Sequence, residues 1–402
     1  MKDNKVLKIS GDVTWVGVLD TDLVTFDIVM ETKYGTTYNS YFINAEKKAI
    51  IDTVKVTFWP VYLEKLKQLT DPSEIKYIIC NHTEPDHSGS IKFLLDMAPD
   101  AIVVGSGQAL NYLSEIIGRP FNSQKVKDGD IIDLGNKKIR VIGAPNLHWP
   151  DTIYTYLEED KILFTCDSFG AHFCHEEMFN DLTGPYEEAF KYYFDVILKP
   201  FSKFMLKAIE KIRGLEIDII CTGHGPILRE NWRYYVDQSE AYSNEYLETL
   251  QSSVNRVLIA YVSAYGYTGE MAGHIAEGLK SAGNIEVELQ DIEHTLLGDL
   301  DEKVTRCDAL IIGSPTINQN TLLPIYKLFA VLSPIRDKGK LAAAFGSYGW
   351  SGEAVTIIEN QLKILKFRIA VEGHGEKFYP CNEKSENFRE FGRKFGEVLL
   401  NS

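Results

Sequence analysis

Apolar residues fall into two rhythms along the chain. Toward the N-terminus the runs WVGVLD, FDIVMET, TYNSYFINA and KKAIIDTV alternate apolar with polar positions and break at Gly, Asn and Asp, which suits a sheet. A helix over roughly Trp59 to Leu69 precedes a strand at Ile75–Cys80. The alternation continues through AIVVGS, a helix near Gln108–Ile117, KKIRVIGA, TIYTYLE, KILFTC, a long helical region near Glu187–Arg213, and IDIICTG. This order fits a layered mixed α/β fold.

A polar stretch from Arg229 to Ser253 reads as helix and places a boundary near residue 250. Beyond it the rhythm is cleaner: RVLIAYVSA, a helix from Glu270, IEVELQDI, a polar link, ALIIGSP, a helix from Leu323, KLAAAFGS, a helix from Glu353, and FRIAVEG with a final helix. That is a βαβ series, and its strands are apolar enough for a parallel sheet buried on both faces. A chain of 402 residues exceeds one typical core. The expected domains are therefore 1–250 and 251–402.

The net charge of -15 disfavours nucleic acid and anionic membrane as partners. No run of 18 apolar residues offers a membrane span, and MKDNKVLKISGD lacks the apolar core of a signal peptide, so the expected location is cytoplasmic. Six cysteines, Cys80, Cys166, Cys174, Cys221, Cys307 and Cys381, form no CxxC pair. They read as reduced thiols and support neither a four-cysteine iron site nor a paired-cysteine zinc site.

Candidate chemistry concentrates at residues 81–89, N-H-T-E-P-D-H-S-G, just past a strand. His82, Glu84, Asp86 and His87 place four metal-capable side chains in six positions, and two of the chain's nine histidines fall in that window. Alternate side chains of an extended segment share a direction, and in a loop they can converge on one ion while His87 turns to a second. Pro85 limits the shapes this segment can take, and Gly89 relieves its tight exit. His148, Asp167 and His224 each follow an apolar strand, where α/β folds assemble sites. His172 and His175, in GAHFCHEE, are further candidates.

Three loops in the C-terminal half suit a mononucleotide. In Ser263–Gly269, the hydroxyls of Ser263 and Thr268, the glycines 266 and 269 and the free N–H groups of a helix start make a phosphate cradle. Neither a Walker loop nor G-x-G-x-x-G is present there. Ile312–Asn318 and Phe345–Glu353 follow the next strands. They supply backbone groups to a ring edge and an aromatic, Trp350 or Tyr348, to its face.

Over nearly its whole length the sequence resembles a flavodiiron protein, or A-type flavoprotein. The motif H-x-E-x-D-H is met by His82, Glu84, Asp86 and His87, and the later ligands by His148, Asp167 and His224. The resemblance implies a metallo-β-lactamase-like αβ/βα sandwich followed by a flavodoxin-like doubly wound parallel sheet. It implies one iron on His82, Glu84 and His148, a second on Asp86, His87 and His224, and Asp167 between them. In some relatives the histidine at position 87 swings away and water replaces it. FMN is expected on Ser263, Tyr265, Gly266, Tyr267, Thr268 and Gly269, on Ser314, Pro315, Thr316 and Asn318, and on Ser347, Tyr348, Gly349, Trp350, Ser351 and Gly352. Gly269 departs from relatives, which often carry glutamate there.

Zinc hydrolases of this fold usually carry histidine at the place of Glu84. A carboxylate is a harder donor that suits iron and favours its ferric state. Zinc would only activate water, whereas two irons about 3.5 Å apart can each give an electron to a small oxidant. His172, more than His175, is expected to donate a hydrogen bond to bound dioxygen. The implied activity is four-electron reduction of dioxygen to water, fed by FMN, with reduction of nitric oxide to N2O as the alternative at the same site. Rubredoxin or reduced coenzyme F420 is the implied donor, a head-to-tail homodimer or dimer of dimers the implied assembly, and scavenging in an anaerobe's cytoplasm the implied role. A zinc-dependent metallo-β-lactamase-type hydrolase is the rival from another class. A flavodoxin-like carrier with a degenerate metal domain would require missing ligands, and none is missing.

Overall fold

The computed structural model describes residues 5–26, 30–249, 254–378 and 382–402. The expected strand FDIVMET falls partly outside these residues, as does the expected boundary near 250. Two compact units are present. One takes the described residues to Phe26 and from Thr32 to Leu247, and the other takes Met30–Glu31 and those from Glu248 onward.

The first unit is a sandwich of two sheets. One sheet runs Leu7–Lys8, Val13–Trp15, Tyr41–Ile43, Lys48–Ile51, Ile75–Ile79, Ile102–Ser106, Ser123–Val126 in spatial order. The other runs Ile131–Asp133, Lys138–Gly143, Ile153–Leu157, Ile162–Cys166, Ile219–Thr222. Their inner faces share one core that includes Trp15, Ile43, Ile51 and Val104 from the first sheet and Val141, Leu157 and Phe164 from the second. Ile162–Cys166 and Ile219–Thr222 pair in parallel, so the residues that follow them emerge side by side.

The helical region expected over Glu187–Arg213 is broken. Helix Glu187–Tyr193 widens into a π turn at Phe194–Leu198, tightens to 3-10 at Lys199–Phe201, and resumes as Ser202–Ile212. Pro200 has no N–H to give to a continuous ladder.

In the second unit the parallel strands lie in the order Ile285–Asp291, Asn255–Tyr261, Ala309–Gly313, Leu341–Tyr348, Arg368–Ile369, with His374–Lys377 also pairing to Leu341–Tyr348. Successive side chains alternate between two cores, as the strand period of two requires. Leu258, Ala260, Leu310, Ile312, Ala342 and Ala344 face one core, and Val257, Ile259, Ala309, Ile311, Leu341 and Ala343 face the other. Helices cover both faces, giving the flavodoxin-like arrangement.

Two expectations need correction. The segment read as a polar link contains a helix, Leu297–Arg306. Its Leu297, Leu300 and Val304 keep helical spacing and reach the core through an otherwise charged surface. The helix expected from Glu270 begins at Tyr267, entered through Gly266 at φ +86°, a conformation glycine adopts without strain. Among the described residues, no helix is long and apolar enough to cross a membrane.

Helices Tyr267–Ala282 and Asn382–Leu400 meet over glycines. A Cβ at Gly392 would lie 2.2 Å from the Ile275 carbonyl oxygen, and one at Gly278 would lie 2.0 Å from that of Arg389. Gly392→Val is expected to destabilise the second unit by about 1–3 kcal/mol through overpacking. Urea denaturation followed by circular dichroism checks this, and an unchanged midpoint would mean that the helices separate freely.

Candidate metal centre

The segment after Ile75–Ile79 is not extended. Glu84 precedes a single helical turn, Pro85–Ser88, with Pro85 at the first position, where no N–H is required. The Glu84 carbonyl accepts from the His87 and Ser88 amides, and the Ser88 hydroxyl donates to the Thr83 carbonyl at 2.7 Å. The turn brings Asp86 and His87 to the buried side. A Cβ at Gly89 would sit 2.4 Å from the Pro85 carbonyl oxygen, so the exit from the turn needs glycine.

All seven side chains singled out in the sequence come together. In the first group, Glu84 Oε2 lies 3.2 Å from His82 Nε2 and 2.9 Å from His148 Nε2. Asp167 Oδ2 lies 3.4 Å and 3.6 Å from those same nitrogens. In the second group, Asp86 Oδ2 lies 3.2 Å from His224 Nε2 and 3.6 Å from His87 Nε2. Asp167 Oδ1 lies 3.1 Å from His87 Nε2 and 3.5 Å from His224 Nε2. Thus Asp167 gives one oxygen to each group. Ligand atoms about 2.1 Å from a shared ion are themselves roughly 3–3.5 Å apart, so each group has the spacing of a coordination sphere.

The electrostatics point the same way. Three carboxylates and four imidazoles meet where water is nearly absent: His82 and His87 are fully buried and Asp167 is 1 % exposed. Burial alone would push the His87 imidazole down, but Asp86 and Asp167 outweigh it and lift it to about 9. His82 is likewise raised well above its ordinary value, against the effect of burial, by Asp151, Glu84 and Asp167. Burial would raise the carboxyls of Glu84 and Asp167, yet the surrounding imidazoles hold both well below the usual range. Both Asp86 oxygens and Asp167 Oδ2 are buried without a hydrogen-bond donor among the described residues. Acceptors so placed call for a cation. The donor set of imidazole and carboxylate suits iron, and no thiolate competes. Cys166 does lie beside His87 and Asp167, but burial and the nearby carboxylates keep its thiol protonated.

Outer contacts orient the ring nitrogens. His224 Nδ1 donates to the Thr37 carbonyl at 2.6 Å. Asp151 Oδ2 lies 3.6 Å from His82 Nδ1 and accepts from both the Thr83 amide and hydroxyl at 2.8 Å. His172 is buried beside this cluster, its ring 5.2 Å from that of His224, and burial, then the neighbouring His224, hold it neutral. His175 is set apart from it, with Nδ1 accepting from the Glu177 amide.

Sequence reasoning missed Asp151, Thr36, Thr37, Phe26 and Tyr193. Phe26 lies 4.3 Å from the His172 ring and Tyr193 lies 4.8 Å from it. The Tyr193 phenol is buried, and burial together with the Asp167 charge holds it un-ionised. It sits where the helix opens into the π turn, a distortion common at functional sites. No local pattern around any of these residues names the partner it meets in the fold.

In the second unit the adjacent strands Asn255–Tyr261, Ala309–Gly313 and Leu341–Tyr348 bring the three candidate loops together at their C-terminal ends. The last strand, read from the sequence as KLAAAFGS, runs one residue farther to Tyr348, and its Phe345–Tyr348 end pairs with His374–Lys377. Tyr267, Thr268 and Gly269 form the first helical turn, and the Gly269 amide donates to Ser263 Oγ at 3.2 Å. Thr268 Oγ1 lies 3.1 Å from Ser347 Oγ, and the Thr316 amide donates to the Ser347 carbonyl at 2.8 Å, tying the loops to one another. Ser314 and Pro315 are buried, while Tyr265 and Trp350 are each 80 % exposed on the same loops. Buried hydroxyls beside a helix start, flanked by uncovered aromatics, fit the phosphate and ring of FMN.

Residues 36–225 match the ODP family beta lactamase model and residues 259–391 match the flavodoxin model. The chain is 41% identical to the flavo-diiron protein FprA2 of Clostridium acetobutylicum, over 98% of this chain and 99% of that one. It is 38% identical to the type A flavoprotein fprA of Rhodobacter capsulatus, over 97% and 91%. Its fold superposes on the rubredoxin oxygen:oxidoreductase of Desulfovibrio gigas with TM-score 0.75 and 27% identity, covering 99% of both chains. For the flavodiiron protein of Giardia intestinalis the TM-score is 0.71 with 28% identity, covering 99% and 97%. With both halves matched in order and the paired donor groups in place, the chain belongs to the flavodiiron protein family, oxidoreductases with a diiron site and an FMN-binding flavodoxin domain.

Proposed function

We propose that the chain reduces dioxygen to water, O2 + 4 e− + 4 H+ giving 2 H2O. The observation that carries this reading is the division of Asp167, with Oδ2 beside His82 and His148 and Oδ1 beside His87 and His224, and with Glu84 completing the first group. His82, Glu84 and His148 would hold one iron and Asp86, His87 and His224 the other, with Asp167 shared. When bound, the irons supply a site for dioxygen and the electrons to reduce it, and FMN supplies the refill one electron at a time.

The chain's own residues do the rest. Glu84 adds negative charge where a hydrolase would have a neutral imidazole, which favours the higher oxidation state of iron over zinc. Burial keeps bulk water from the reaction and strengthens every charge interaction inside. His172, buried beside the His224 ring, would donate a hydrogen bond to dioxygen or its reduced product. Tyr193, held un-ionised, keeps a phenolic proton near Asp167. In the second unit Ser263, Thr268 and the first-turn amides would hold the phosphate. The loops at Ser314–Asn318 and Ser347–Gly352 would hold the ring, and Trp350 or Tyr348 would supply an aromatic surface to it.

Rubredoxin is the proposed donor, because the Desulfovibrio gigas protein of the same fold is named for it. Reduced coenzyme F420 is the competing candidate. A head-to-tail homodimer, or a dimer of such dimers, would bring the FMN of one protomer to the metal centre of its partner.

Initial rates with dioxygen and with nitric oxide, using the same reduced rubredoxin, test the proposal. Faster turnover of dioxygen is expected, and a clear preference for nitric oxide would replace the reading with N2O formation. His172→Phe should slow dioxygen reduction about tenfold or more while two irons per chain remain, as read by oxygen electrode and metal analysis. Iron loss in that variant would recast His172 as structural.

Ferrous loading of the metal-free protein at pH 7.5 should release protons, because His87 with its value of about 9 is protonated there. The same pairing stabilises the metal-free fold fully below pH 6.5, the ordinary histidine value, and fades as pH rises through about 9. A pH-stat titration showing no proton release would contradict these charges.

A further inference from the structure

The hydroxyl of Thr36 is completely buried beside three polar atoms. His172 Nδ1 lies at 2.9 Å, His224 Nδ1 at 3.4 Å and the Thr37 carbonyl oxygen at 3.4 Å. His224 Nδ1 also stands 2.6 Å from that carbonyl. A carbonyl only accepts, so His224 Nδ1 carries a proton and offers Thr36 no lone pair. Two acceptors remain for the Thr36 proton. The Thr37 oxygen is distant and already receives a short bond, whereas His172 Nδ1 is at ordinary hydrogen-bond distance. Donation to His172 uses the hydroxyl proton at 2.9 Å, whereas the reverse direction would leave it only the long 3.4 Å contact to the Thr37 carbonyl.

A neutral imidazole carries one proton. With Nδ1 accepting, the His172 proton lies on Nε2, at the opposite side of the ring. That nitrogen is buried and has no hydrogen-bond partner among the described residues. Two consecutive residues of the strand Thr36–Tyr38 therefore set two neighbouring histidines to opposite tautomers. Thr37 gives His224 a proton on Nδ1 and a lone pair on Nε2, facing Asp86. Thr36 gives His172 a lone pair on Nδ1 and a proton on Nε2.

We propose that Thr36 is a positioning residue: by donating to His172 Nδ1 it fixes the Nε2–H tautomer, so that this N–H is the donor offered to the dioxygen substrate. The inference rests on the proposed role of His172. The other tautomer would turn a lone pair toward an oxygen that gains negative charge during reduction, and would repel it.

The test is nitrogen-15 NMR of the full-length chain, labelled at histidine and loaded with zinc so that the centre is diamagnetic. His172 is assigned by the signals lost in His172→Phe. The wild type and Thr36→Ser are expected to show protonated Nε2 and unprotonated Nδ1, and Thr36→Val to lose that preference. In iron-loaded protein, Thr36→Val should reduce dioxygen about tenfold more slowly at unchanged iron and FMN content, with Thr36→Ser restoring most of the rate. A wild-type His172 protonated on Nδ1, or an unchanged tautomer in Thr36→Val, overturns the proposal. Should Thr36→Val not fold, the wild-type and serine spectra decide alone. The expected tautomers together with wild-type rates in both Thr36→Val and His172→Phe would uphold the tautomer assignment and overturn the reading of His172 on which it rests.

Discussion

A single carboxylate divided between two sets of imidazoles organises this protein. Asp167 sits in the first unit with one oxygen in the group of His82, Glu84 and His148 and the other beside His87 and His224, the two imidazoles that Asp86 also faces. Its position follows from the sheet, because Ile162–Cys166 and Ile219–Thr222 run in parallel and deliver Asp167 and His224 to adjacent places. The turn at Pro85–Ser88 then swings Asp86 and His87 in from the other sheet. Three carboxylates in a nearly dry space repel one another strongly. Only the imidazoles, protonated or metal-bound, make the arrangement tenable.

That constraint links fold to chemistry. Metal-free, the imidazoles balance the carboxylates by holding protons. Metal ions replace those protons with charge that can change by one unit at a time, and Glu84 tips the balance toward iron. The outer contacts matter for the same reason. The Thr37 carbonyl takes the proton of His224 Nδ1 and so leaves a lone pair on Nε2, Asp151 places its charge 3.6 Å from His82 Nδ1, and the proposed role of Thr36 extends the same logic to His172. The second unit supplies a different kind of site. Its loops come together because the strand order turns about Asn255–Tyr261, and they offer buried hydroxyls and uncovered aromatic rings rather than charge.

The donor residues were legible in the sequence because chemistry and spacing coincided: four metal-capable side chains crowd a six-residue window, and three more end apolar strands. The parallel sheet of the second unit was legible from its apolar runs, whose alternate residues serve two cores. What escaped notice depended on distance. Thr36 meets His172 across 136 positions of sequence and Asp151 meets Thr83 across 68, and nothing in either local pattern signals the partner. Tyr193 is one of many tyrosines, singled out only by a helix that widens beside it. The helix Leu297–Arg306 was hidden for another reason, since its three apolar contacts are diluted by charged residues facing water. The segment after Ile75–Ile79 was expected to present its ligands from an extended stretch or a loop with its shape limited by Pro85, and the structure instead makes Pro85 the first residue of a single helical turn.

The most direct test of the central claim is Mössbauer spectroscopy of protein reconstituted with isotopically enriched iron, in its reduced and oxidised forms. Two iron sites of equal weight, magnetically coupled through a shared bridge when oxidised, are the result required by Asp167 lying in both donor groups. A single isolated iron signal, or a second position that takes only zinc, would contradict it.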